Sequence, residues 1–208
     1  MANLRQKQKE STRKRLLEVA LDLFVTNGYV ATTIDDIATG AGTTRVTFYA
    51  HFESRQDLMR ALIGELNEIL DRRARPDTGG STASPLVDAV RIGSRGLLAD
   101  WLLNQARRWP RIRPYIIAAT EAAAVDPDIR TLFYAWVEEV VADVVEGLDA
   151  ADRFDPAARH FRGELAFANL DQTALYWMRN GGFDIDTAPE FDVMVEAWWR
   201  LVGTGGLR

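Results

Sequence analysis

The sequence predicts an all-α protein of about nine helices, an expectation that rests on three observations. Apolar residues recur at three- and four-residue spacings along most of the chain, no segment sustains the alternation of a half-buried strand, and helix start and stop signals punctuate it repeatedly. With 208 residues, 47% of them hydrophobic and 26% charged, there is ample material for a buried core. The chain has no cysteine, which excludes disulfides and thiolate metal sites. No stretch approaches the roughly 18 consecutive apolar residues of a membrane span, and the polar, basic N-terminus lacks an apolar leader. A cytoplasmic protein with no membrane partner is expected.

The first helix is expected from about Ser11 to Asn27, because Leu16, Val19, Ala20, Leu23 and Phe24 share one face and Asn27-Gly28 supplies a stop. Ahead of it, six of the first fifteen residues are basic and only Glu10 opposes them. Residues 1–60 hold nine Lys or Arg against seven Asp or Glu, whereas the whole chain carries a net charge of −5. Such an arm, read from charge alone, is a solvated terminus or a phosphate-attracting one.

Thr33 to Phe52 reads as two short helices around a glycine-bounded turn, the pattern of a helix-turn-helix. Thr33 with Asp36 makes a capping-box start, and Asp35 and Asp36 suit the positive end of the helix dipole. Ile34, Ile37, Ala38 and Ala41 mark the buried face, and Gly40 and Gly42 end the helix. Thr43 or Thr44 caps the next one, on which Phe48 and Phe52 point inward and Arg45, Val46, Thr47, Tyr49 and Ala50 face outward.

A fourth helix is signalled by Ser54 and Asp57 and ends near Arg75. Pro76 to Pro85, rich in Gly, Ser and Thr, reads as a linker. Beyond it the pattern predicts helices from about Pro85 to Arg107, from Pro110 or Pro114 to Ala124, and from Asp126-Pro127 to near Gly147. Two more run from Pro156 to Arg179 and from Pro189 to Val202, separated at Asn180-Gly181-Gly182. All six tryptophans lie after the linker, so that part either packs a large core or surrounds a cavity for an apolar ligand.

The blocks Leu16 to Phe24, Asn27 to Ala38, Ala41-Gly42, Thr47 to Phe52 and Ser54-Arg55 closely resemble the N-terminal domain of the TetR family of transcriptional repressors, in order and in distance. The resemblance implies a homodimer whose last two helices pair with their mates and whose recognition helices enter successive major grooves of a palindromic double-stranded DNA operator. It also implies a cavity for a small apolar or amphipathic effector that releases the DNA, with no cofactor. The division expected on this basis is residues 1–55 for DNA binding with the basic arm 1–15, 56–75 as a connecting helix, 76–84 as a linker, and 85–208 for effector binding and dimerisation.

Arg45 is the candidate for direct base readout, since a guanidinium can bond two acceptors of guanine at once, with a phosphate contact as its alternative. Thr33, Thr44, Thr47, Tyr49, His51 and Arg55 match family positions that hold DNA phosphates, and Arg13 of the arm joins them. Thr43, Val46 and Ala50 depart from the family's usual residues, which shifts readout toward Arg45, thymine methyls and DNA shape. Trp101, Tyr115, Tyr134, Trp136, Tyr176 and Trp198 are the rings expected to line the cavity, with Asn169, Asp171 and Gln172 placed to orient a ligand. His51 and His160 have no supporting constellation in the sequence, so no metal site and no catalytic residue is expected.

Two other readings stay open. The same DNA-binding dimer could carry a C-terminal domain with only a structural or protein-binding role. A helical-bundle enzyme ranks far below both, because the chain lacks a nucleophile-base pair, a metal-ligand cluster and a phosphate-binding glycine loop.

Overall fold

The computed structural model describes residues 2–75, 80–179 and 188–206. Among them are ten α-helices: α1 Ala2–Asn27, α2 Ile34–Gly40, α3 Arg45–Tyr49, α4 Arg55–Ile69, α5 Ser84–Ile92, α6 Arg95–Ala106, α7 Trp109–Val125, α8 Pro127–Ala150, α9 Pro156–Arg179 and α10 Pro189–Val202. A 3₁₀ turn, Thr204–Gly206, follows α10. Two-residue strands β1 (Arg73–Ala74) and β2 (Ser81–Thr82) pair antiparallel. The fold is thus all-α, as the periodicity predicts. No helix among the described residues is long and apolar enough to cross a membrane.

The chain forms two compact units, the first comprising residues 1–66 and 112–134 and the second residues 67–111 and 135–208. Residues 112–134 therefore pack with the N-terminal unit, and the boundary inside α4 falls at Leu66, which differs from a division at 55, 75 and 85.

In the first unit α1 begins at Ala2 rather than Ser11. Lys, Arg, Gln and Glu are good helix formers, and i,i+4 pairs such as Gln6 with Glu10 at 2.7 Å extend the helix through the basic run. Its apolar face, Leu16, Leu17, Ala20 and Phe24, is buried with Ile37, Ala38, Phe48, Phe52, Leu58, Met59 and Leu62. Gly40 allows α2 to approach α1 closely, because a Cβ there would lie 2.8 Å from Val19 Cγ1. The α2 capping box is formed: Asp36 N donates to Thr33 Oγ1 at 3.1 Å and Thr33 N to Asp36 Oδ2 at 2.9 Å. Thr44 is the cap of α3, accepting from Thr47 N at 3.2 Å. Ser54 accepts from Asp57 N at 3.1 Å at the start of α4.

Asp126 ties three segments of this unit together. It accepts from Tyr29 Oη at 3.2 Å and Gln56 Nε2 at 2.9 Å, and its other oxygen accepts from the first amides of α8, Asp128 N and Ile129 N.

In the second unit the single helix expected from Pro85 to Arg107 is broken. Gly93 takes φ +68° as the end of α5, and Ser94 caps α6 by accepting from Leu97 N at 3.2 Å. The α5 terminus and the end of α10 share one donor, the buried Arg153, whose guanidinium donates to the carbonyls of Val90 at 2.6 Å, Val202 at 2.8 Å and Arg91 at 3.0 Å. A cation there also suits the negative ends of both helices.

The expected linker is partly structured. Residues 76–79 of it lie outside the described residues, but β1 and β2 are pinned to α8: Arg72 pairs with the fully buried Asp143 at 2.9 Å, Ala83 N donates to Asp143 at 3.0 Å and Ser81 N to Glu139 at 2.9 Å. Two residues per strand give no alternation to read, so the ribbon escapes a pattern-based expectation of no sheet. The break expected at Asn180-Gly181-Gly182 lies outside the described residues.

Candidate nucleic-acid interface

Phe48 and Phe52 are buried, fully and almost fully, and their burial fixes the rotation of α3. Its opposite face carries Thr44, Arg45, Val46, Tyr49 and Ala50 into solvent, with Thr47 and Thr43 partly covered. Val46 is 80% exposed at the centre of this face. Arg45 Nη1 donates to Asp35 Oδ2 at 3.0 Å and Nη2 to Tyr49 Oη at 3.4 Å. The hydroxyls of Thr44 and Thr47 lie 3.1 Å apart.

Two further residues flank this face. Arg13 of α1 lies over the Phe52 ring at 5.0 Å, which brings the cationic helix beside the end of α3. His51 Nδ1 is buried without a hydrogen-bond partner. Burial first, then Lys9 and Arg13, pushes its imidazole pKa below the ordinary value, so the ring is held neutral.

Two of the expected phosphate contacts are engaged internally. Arg55 Nη1 donates to the carbonyls of Tyr29 at 2.9 Å and Thr32 at 2.6 Å, and its guanidinium stacks over the Tyr29 ring at 4.5 Å. The Thr33 hydroxyl accepts from Asp36 N and donates to Asp36 Oδ2 at 2.6 Å. Those bonds hold the Asp36 carboxyl below its usual range, which keeps an anion beside Thr33. The bond from Arg45 brings Asp35 to the edge of this face, a placement the sequence does not reveal, since there Asp35 reads only against the helix dipole. Residues ten apart across a turn give no pattern to find it by.

The nine residues expected to line a cavity are divided between the two units. Tyr115 and Tyr134 belong to the first unit, where Tyr115 Oη donates to Glu65 at 3.0 Å and Tyr134 is 61% exposed. In the second unit Trp101 stacks on Trp198 at 5.3 Å, and Trp136 is buried with Nε1 donating to Asn67 at 2.7 Å. Asn169, Gln172 and Tyr176 do come together, with Trp177, Glu190, Val193 and Met194, around a groove of about 370 Å³ between α9 and α10. Asp171 is half-buried, and desolvation raises its pKa against the lowering effect of Gln172. Trp109 on Trp177 at 4.8 Å completes a set of tryptophans used largely in packing. Periodicity identifies an apolar helix without fixing which stripe meets which neighbour, so the grouping of Asn169, Gln172 and Tyr176 is a finding of the structure.

Two buried polar atoms of the second unit, Trp198 Nε1 and Asn169 Oδ1, lack a hydrogen-bond partner. On its surface His160 lies between Glu138 at 3.1 Å and Glu164 at 3.8 Å, all three exposed, an arrangement that sequence spacing could not reveal because Glu138 is on α8. The three could offer ligand atoms to a metal ion, all within 4.8 Å of one another, but they serve equally as a solvated ion pair.

Residues 16–62 match the profile of the family described as bacterial regulatory proteins, tetR family. The chain is 28% identical to the HTH-type transcriptional regulator TcmR of Streptomyces glaucescens over 169 residues, which cover 68% of this chain and 74% of TcmR. It is 40% identical to the HTH-type transcriptional repressor KstR2 of Mycobacterium tuberculosis over 79 residues, 38% of this chain and 39% of that protein. Among solved structures it is similar to NalD, the secondary repressor of the MexAB-OprM multidrug efflux pump in Pseudomonas aeruginosa, with a TM-score of 0.68 and 19% identity over 94% of this chain and 98% of NalD.

Proposed function

We propose, on the premise that this chain is a DNA-binding transcription regulator of the TetR family and not an enzyme, that it represses transcription as a homodimer on a palindromic operator and is released by a small apolar or amphipathic molecule. The observation that carries the reading is the solvent-facing surface of α3, where Arg45, Val46, Tyr49 and Ala50 project from a helix locked by Phe48 and Phe52. A short helix presented this way suits a major groove, and the cationic α1 beside it suits the adjoining phosphates. Direct readout rests on Arg45 and methyl contacts on Val46 and Ala50, with Thr44, Thr47, Tyr49, His51 and Arg13 as backbone contacts.

Dimerisation through α9 and α10 is supported by large apolar side chains in solvent, with Phe161 61% and Val193 71% exposed. Effector binding is supported by the α9–α10 groove and by the unsatisfied Asn169 Oδ1 and Trp198 Nε1, since buried polar atoms ordinarily have partners. A ligand acts only through differential affinity for the conformation that cannot span both half-sites.

Gel shift with the DNA flanking the chain's own gene tests the reading, as does a selection from genomic fragments. Retention of specific fragments, and their release by one compound from an apolar library, is expected. Specific DNA binding with no response in tryptophan fluorescence or release across that library would favour a dimer whose C-terminal domain is structural or protein-binding.

A further inference from the structure

Asp35 and Asp36 are adjacent acids at the start of α2, yet they are bonded differently. Asp36 completes the capping box with Thr33. The Asp35 carboxylate is not needed there, and it reaches across the turn to α3, where its Oδ2 accepts from Arg45 Nη1 at 3.0 Å. On the other side Tyr49 Oη accepts from Arg45 Nη2 at 3.4 Å, and the guanidinium carbon lies 5.7 Å from the centre of the Tyr49 ring. Arg45 is therefore held from two helices at once, although its side chain is 57% exposed.

An anion on a face that meets phosphate repels every DNA alike, so Asp35 costs affinity that sequence-independent binding would not give up. What it returns is geometry. A free arginine samples many rotamers, and fixing it on a base edge loses that freedom. A guanidinium has five N–H donors; two are engaged by Asp35 and Tyr49, which leaves three in a fixed plane for a base. We propose that Asp35 is a positioning residue for base readout: it orients the Arg45 guanidinium so that α3 discriminates one base pair of the operator, with Tyr49 as the second brace. This rests on the regulator reading above, with Arg45 as the base-reading residue.

The test measures affinity of the full chain for its selected operator, for operators changed at single base pairs, and for random DNA at one salt concentration. Wild type, Asp35→Ala, Asp35→Asn, Arg45→Ala and the Asp35→Ala/Arg45→Ala pair are compared. Asp35→Asn keeps the shape of the side chain and guards against a folding defect in the alanine variant. The expected result is that both Asp35 variants bind random DNA as well as wild type or better, while discrimination at one base pair falls by about tenfold. Arg45→Ala should lose discrimination at that same base pair, and adding Asp35→Ala should change it no further. If the Asp35 variants tighten operator and random DNA by one common factor, Asp35 is only a repulsive surface charge and the proposal is overturned. It is equally overturned if Asp35→Ala alters discrimination as much without Arg45 as with it. A wild-type chain that prefers no sequence would overturn the regulator reading itself, which separates the two failures.

Discussion

Arg55 donates to the carbonyl oxygen of Thr32 at 2.6 Å, joining the start of α4 to the segment between α1 and α2. A second bond to the Tyr29 carbonyl and the stack on the Tyr29 ring make this residue a brace of the N-terminal unit. Charge-assisted bonds of this kind contribute roughly 1.5–3 kcal/mol each when partly buried. Arg55→Ala is accordingly expected to lower unfolding free energy by about 2 kcal/mol in denaturant titration, with Arg55→Lys recovering only part because a shorter side chain with no planar group cannot keep the stack on the Tyr29 ring. Unchanged stability with weakened DNA binding would return Arg55 to a phosphate role.

The second unit has a comparable joint at Arg153. A Cβ on Gly93 would stand 2.6 Å from the Arg153 guanidinium, and the glycine's φ of +68° is strained for any L side chain. Gly93→Ala should therefore cost on the order of 1–3 kcal/mol. Arg153→Met should cost at least as much, on the order of 3 kcal/mol, by leaving buried carbonyls without a donor. Thermal melts of both variants check this, and melting points equal to wild type would contradict it.

His51 supplies a pH dependence. Its folded-state pKa is depressed below 6.5, chiefly by burial, so the fold prefers the neutral ring. The stabilisation is present above the ordinary value and is lost as pH falls through the depressed one. An NMR titration should find His51 titrating below 6.5, and His51→Gln should flatten that part of the stability profile. A pKa at or above 6.5 in the free protein would refute the burial argument.

The apolar side chains of α9 give the test of assembly. Phe161→Glu with Leu165→Glu places two charges on a surface that is already 61% and 42% exposed, so the protomer fold should survive. Sedimentation should then report a monomer, with operator affinity reduced by at least about tenfold because two half-sites are no longer held together. A variant that remains a dimer would locate the interface elsewhere.

Much of this molecule is legible in its sequence where the cause is local. The Thr33 capping box, the Thr44 cap, the inward Phe48 and Phe52 and the helices from Pro156 and Pro189 are all written within four or five neighbouring residues, and the structure has them. What the sequence hides depends on distant partners. The Gly93 break is stabilised by Arg153, sixty residues later, and the β1–β2 ribbon by Asp143. Arg55 looked available to a phosphate because nothing nearby in sequence announces the carbonyls of Tyr29 and Thr32. The role of the tryptophans is hidden for the same reason, since rings at helical spacing are as well suited to stack on each other, as Trp101 and Trp198 do, as to enclose a ligand.

The most direct measurement is the affinity of the full chain for DNA selected from genomic fragments, against random DNA, for wild type and Arg45→Ala over a range of salt. The expected result is two protomers bound to a palindromic site, a wild-type preference that falls at least about tenfold in Arg45→Ala, and affinity for all DNA that weakens steeply as salt rises. Equal binding of every fragment by wild type, or a preference undiminished by loss of Arg45, would contradict it.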